Sequence, residues 1–142
     1  MPTETIAHVI QLSVAPVFLL TGVSAMLGVL TSRLSRIIDR GRLLEGRAHD
    51  AEPARVAALH AELGVLSQRA RLVNRAIALC TVCALLICGV IVSLFLAAFF
   101  GADASRPIGV LFIAAMASLS GGLVTFFREV TLATRNLRIG PH

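Results

Sequence analysis

Three stretches of this chain carry no acidic or strongly basic side chain, and they fix what it can fold into. Residues 6–30 hold only His8 as a partly basic group, and residues 76–100 and 108–127 hold no charge at all. As helices rising about 1.5 Å per residue, stretches of this length reach across the roughly 30 Å hydrocarbon core of a bilayer. A chain of 142 residues that is 56% apolar, with a mean hydropathy of +0.84, has most of its length committed to such spans. These values lie above those of ordinary soluble domains. One small integral membrane domain with three transmembrane helices is expected, spanning about residues 6–30, 76–100 and 108–127. The opening MPTETIAHVIQ has an acid but no Lys or Arg before the first apolar run, so it reads as a retained segment and not a cleaved signal. Thr3 or Thr5 can cap the first helix, and Pro16 should kink it or loosen one turn.

Between Thr31 and Arg42 the chain reads TSRLSRIIDRGR, an apolar run turning arginine-dense with no Gly-Pro break. Leu34, Ile37 or Ile38, and Leu44 keep the apolar heptad going, so the helix is expected to leave the membrane and continue into water. HDAEPA, residues 49–54, supplies turn signals, with Pro53 suited to a helix start. A second heptad, Val56, Leu59, Leu63, Leu66, Ala70 and Val73, leads back to the next apolar stretch. The expected fold is therefore all-α: three transmembrane helices, with a cytosolic antiparallel helical hairpin at about residues 31–75 extending the first two, pivoting near Ala51. After the third span, Phe127, Val130, Thr134 and Leu137 keep a three-four spacing, predicting a cytosolic helical tail over about residues 128–138 that ends before Gly140-Pro141.

All thirteen basic residues are arginine: nine lie between the first two spans, three follow the third, one lies in the other connection and none precedes the first span. The positive-inside rule then puts the N-terminus outside and the hairpin and C-terminus in the cytoplasm. With no Tyr or Trp for an interface belt, arginines and phenylalanines must set helix depth. Arg33, Arg36, Arg69, Arg71, Arg75 and Arg128 flank the spans as a cytosolic collar, whose expected counter-charge is anionic lipid headgroups and not nucleic acid. Glu129 lies at the same level and could pair with Arg75 or Arg33. In the hairpin, Glu62 falls opposite Arg40 and Arg42. Within the first span, Val14, Val17, Thr21, Ser24, Gly28, Thr31 and Ser35 share one small, slightly polar face. Thr21, Ser24, Gly28 and Thr31 are its core, suited to close helix packing or to a wettable pore stripe.

Catalytic chemistry is not legible. Cys80-x-x-Cys83 and Cys88 sit in an apolar span without His or acid nearby, where cysteine behaves as a small hydrophobe. No nucleophile–base pair, phosphate loop or metal-ligand set is visible, so no catalytic residue, cofactor or metal is expected, and the chain reads as a non-enzyme. No acid lies within a span, which argues against a proton-driven transporter.

The runs APVFLLTGVSAMLGVLTSRLSRIIDRGR, LSQRARLVNRAI and FFREVTLATR resemble a bacterial family of membrane proteins catalogued as domain of unknown function 2721, from about Ile10 to Arg138. The resemblance implies a three-span inner-membrane protein with no catalytic residues to carry over. Two functions fit these features. One is a homo-oligomer whose first span lines or seals the centre, an ion channel with an arginine-lined cytosolic mouth. The other is a non-conducting accessory or scaffold subunit binding a protein partner through its hairpin.

Overall fold

The computed structural model describes residues 3–50 and 52–139. They form three helices, α1 (Thr3–Asp50), α2 (Pro53–Phe100) and α3 (Ser105–Ile139), with no strand among the described residues. Each is long and apolar enough over part of its length to cross a membrane. At 48 residues apiece, α1 and α2 reach roughly 70 Å, more than twice a hydrocarbon core, so each must extend beyond it.

The ends follow local chemistry. Glu4 in the first turn of α1 and Arg47 and His49 in its last turn complement the helix dipole. α1 stays helical through Pro16. The pivot residue Ala51 lies outside the described residues, and α2 begins at Pro53, where a missing N–H leaves nothing unpaired. The Glu52 carbonyl accepts the N–H groups of Arg55 and Val56, both at 2.9 Å. α2 closes on Gly101 with φ +68°, and the Ala102 N–H donates to the Ala97 carbonyl at 2.9 Å. That six-to-one bond needs a left-handed residue, which glycine supplies without strain. Asp103 then starts α3: its Oδ1 accepts the Ser105 N–H at 3.1 Å and the Ser105 hydroxyl at 2.7 Å. The expected end of the tail at Gly140-Pro141 lies outside the described residues.

Burial along each helix repeats at seven residues. On α1 the buried row is Val9, Pro16, Val23, Leu30, Ile37 and Leu44; on α2 it is Leu66, Val73, Cys80 and Ile87, with Ala76, Cys83 and Val90 beside it; on α3 it is Ala115, Gly122 and Glu129. A sustained heptad keeps one face of a helix on its neighbours. It also resolves the phase of α1, since Ile37 is buried whereas Ile38 is 43% exposed.

The chain divides into two compact units. In the first, Met1–Leu27 and Ala78–Gly121, the core consists of small and medium apolar side chains. The one buried hydroxyl among the described residues there, Ser13, donates to the Val9 carbonyl at 2.7 Å. A Cβ at Gly121 would stand 3.3 Å from Leu79 Cδ1, so α2 and α3 approach closely there. Large apolar side chains point outward: Phe18, Leu85 and Ile113 are all about two-thirds exposed or more. Such a surface suits lipid and not water. The second unit, Gly28–Ile77 and Gly122–His142, buries Leu30, Ile37, Leu44, Leu66, Val73 and Ala76 together with, among the described residues, one charged residue, Glu129.

Candidate functional site

Glu129 is where the heptad stops being apolar. It continues the row of Ala115 and Gly122, so α3 points it into the core of the second unit, where it is 0% exposed. A lone carboxylate there would cost several kcal/mol, on the order of the desolvation penalty for a buried ion. Two arginines compensate. Arg33 Nε and Nη2 approach Glu129 Oε2 at 2.8 and 2.7 Å, and Arg69 Nε donates to Oε1 at 3.0 Å. Each carboxylate oxygen is thereby satisfied by a charge-assisted bond. Phe126, one turn before Glu129 on α3, lies under the Arg33 guanidinium at 5.5 Å from its ring centre, adding a cation–π contact. The three helices of the unit are thus tied at one point, which fixes their axial register.

Of the other collar residues, Arg36 is exposed and lines a cleft with Arg33, Arg40 and Arg69. Arg71, Arg75 and Arg128 are exposed and make no ion pair among the described residues. The partner that sequence reasoning missed is Arg69. Its signal was the heptad: Arg69 lies three residues after buried Leu66 and seven before buried Ala76, whereas Arg71 and Arg75 fall on outward positions. Near the other end of the unit, Arg40 Nη2 meets Glu62 Oε1 at 3.2 Å with both side chains nearly half exposed, while Arg42 makes no ion pair among the described residues. An exposed pair of this kind is worth about 0–1 kcal/mol.

Residues 13–139 match the family described as protein of unknown function (DUF2721). The chain belongs to that family. The matched range takes in most of α1, all of α2 and α3, and every residue of the Arg33–Glu129–Arg69 cluster. No curated protein and no solved structure matches the chain. In this DUF2721 protein the small face of α1 turns away from the chain's own helices: Thr21, Ser24, Gly28 and Thr31 are all exposed, and a Cβ at Gly28 would meet nothing within 4 Å. Its hydroxyls fold back on their own helix. Thr21 donates to the Val17 carbonyl at 3.1 Å, Ser24 to Leu20 at 2.9 Å and Thr31 to Gly28 at 3.1 Å. Back-bonded hydroxyls tolerate an apolar neighbour that free ones would not. Cys80 and Cys83 occupy buried heptad positions as packing residues, and Cys88 is exposed.

Proposed function

We propose that this DUF2721 protein is a homo-oligomeric, non-enzymatic protein of the inner membrane. Its N-terminus lies outside, and the antiparallel hairpin of residues 31–75 and the C-terminus lie in the cytoplasm. Nine of thirteen arginines between the first two spans support that orientation. Copies meet through the small face of α1. The observation carrying this reading is that Thr21, Ser24, Gly28 and Thr31 are exposed while the chain's own helices pack without them. In lipid, helices associate where small side chains let backbones approach, because apolar surface alone gives no drive.

Between the two modes of action, the geometry favours a non-conducting scaffold that presents its hairpin to a protein partner. Arg33 is held by Glu129 and so is turned toward its own chain, not toward a central pore. One observation keeps conduction as a second reading. Arg36 is exposed and carries no carboxylate partner among the described residues, so several copies would set a positive ring at the cytosolic mouth.

Gly28→Leu tests the assembly. The space beside Gly28 is open within the chain, so the variant folds, and native mass spectrometry in mild detergent should show it shifted from oligomer to monomer. A wild-type protein that is already monomeric, or a variant with unchanged mass, overturns the proposal. Planar-bilayer recordings separate the two modes: a current altered by Arg36→Ala establishes a channel, and silence favours the scaffold.

A further inference from the structure

Arg33, Arg36 and Arg40 of α1 and Arg69 of α2 line one cleft of about 170 Å³, with Ile37 and Leu66 as its apolar walls. Two carboxylates meet three of these four guanidinium groups: Glu129 holds Arg33 and Arg69, and Glu62 holds Arg40. Arg36 has no carboxylate partner among the described residues, so the cleft keeps an excess of positive charge. It also keeps donors. A guanidinium carries five N–H groups in a rigid fork. Glu129 engages only Nε and Nη2 of Arg33 and Nε of Arg69, and Glu62 only Nη2 of Arg40. The buried carboxylate and the Phe126 ring hold Arg33 in place before any ligand arrives, which lowers the ordering cost of binding. The cleft offers several times the space that one water needs, enough for a tetrahedral anion with part of its hydration.

We infer that this cleft is a phosphate-binding site, and that its occupant is the phosphate of an anionic lipid headgroup. The choice of lipid rests on the bilayer placement proposed above. Arg33 is the first charge after the uncharged run of α1, and Arg36 follows one turn later. Arg40 lies roughly 10 Å beyond Arg33 along the helix. The headgroup layer of one leaflet is about 5–8 Å thick, so the Arg33–Arg36 end of the cleft stands at phosphate depth. Forked guanidinium donors match phosphate oxygens in pairs, which a diffuse positive surface does not. Soluble phosphate shares that chemistry, so the source needs its own measurement.

The full-length protein in detergent is titrated with short-chain phosphatidylglycerol or phosphatidylcholine and followed by native mass spectrometry. Phosphatidylglycerol should bind at least about fivefold more tightly, and Arg36→Ala with Arg40→Ala should weaken it by about tenfold, roughly fivefold from Arg36 at phosphate depth and about twofold from Arg40 beyond it. These two arginines leave the Glu129 cluster intact. Arg71→Ala with Arg75→Ala removes the same charge from outside the cleft and should change binding by less than about twofold. Equal affinity for both lipids, or equal weakening by the two double variants, overturns the site in favour of diffuse attraction. In a separate arm, displacement of phosphatidylglycerol by inorganic phosphate, but not by chloride at matched ionic strength, assigns the site to free phosphate; no displacement assigns it to lipid. Labelling of Gly46→Cys in intact cells reports the side of the membrane independently, so a misplaced hairpin and an empty cleft give different results.

Discussion

In the unit formed by Met1–Leu27 and Ala78–Gly121, the buried rows carry Val23, Cys80, Cys83, Ile87 and Ala115, and no charge. In the unit formed by Gly28–Ile77 and Gly122–His142, the continuations of those rows carry Leu30, Ile37, Leu44 and Val73 beside Glu129. Both use the same heptad, but on the membrane placement proposed above the first lies in lipid and the second in water, so they solve different problems. Where the surroundings are lipid, apolar side chains gain nothing from leaving solvent, and close packing must hold the helices. Where they are water, apolar burial supplies affinity but little direction, since one leucine fits a hole almost as well as the next. A buried carboxylate answered by two arginines supplies the direction, because any slip of register strands a charge.

The largest effect should come from stranding it deliberately. Arg33→Ala with Arg69→Ala leaves Glu129 buried without a partner, and the loss should be about 3–5 kcal/mol, a large share of the roughly 5–15 kcal/mol that holds most domains folded. Unfolding monitored in detergent, or failure of the variant to accumulate, measures it. Replacing all three residues with leucine should recover most of the loss, because a well-packed apolar core substitutes for a buried ion pair. A double variant that unfolds at the wild-type midpoint would mean that Glu129 is hydrated and has no register role. Single substitution of either arginine should cost less, since the remaining one still meets the carboxylate.

A smaller effect separates the two units directly. Leu44 and Ile87 are both essentially fully buried, at 1% and 0%. Leu44→Ala should cost about 2–4 kcal/mol, combining lost transfer free energy with a cavity. Ile87→Ala should cost about 1–2 kcal/mol, because with lipid as the surroundings the transfer component falls away and the cavity component remains. Chemical unfolding of the two variants in the same detergent gives the comparison. Equal costs, or a larger one at Ile87, would remove the distinction in solvent between the units.

Much of this was legible from charge spacing. The uncharged runs located all three helices, and the apolar positions Leu34, Leu44, Leu66 and Val73 announced that the first two would continue well past a hydrocarbon core. Pro53 marked the start of α2, and Arg40 and Glu62 were placed opposite one another by counting from a single turn. What spacing could not give was rotation about each helix axis. Whether Arg69 or Arg75 reaches Glu129 depends on a difference of six residues, which at 3.6 residues per turn is a swing of most of the way across the helix. Arg33 and Glu129 are 96 residues apart, so no local rule pairs them. The same uncertainty affected the small face of α1: Thr21, Ser24, Gly28 and Thr31 look equally suited to packing within the chain or outside it until the buried row at Val23 and Leu30 fixes the phase. The arginine-lined cleft was hidden for the same reason, since its residues come from two helices whose facing sides are set by that phase.

The smallest expected effect lies where the unit whose buried rows carry no charge does use an acid, at the turn between α2 and α3. Asp103 is fully exposed, and its hydrogen bond from the Ser105 hydroxyl, seconded by the one from the Ser105 N–H, holds its carboxyl below the ordinary aspartate value. With a folded pKa below the unfolded value of about 3.9, the folded turn binds fewer protons than the unfolded chain as the acid range is entered. Its contribution is therefore fully present above about pH 4 and is lost as the pH falls through the lower, folded value. The protection of the Ser105 amide, its exchange rate relative to that of an unstructured chain at the same pH, should fall only in that acid window. Asp103→Asn keeps an acceptor at this turn and should exchange at a rate independent of the carboxylate titration. Loss of protection already near neutral pH would place the control elsewhere than Asp103, and the same pH response in the asparagine variant would exclude this carboxylate as the group that holds the turn.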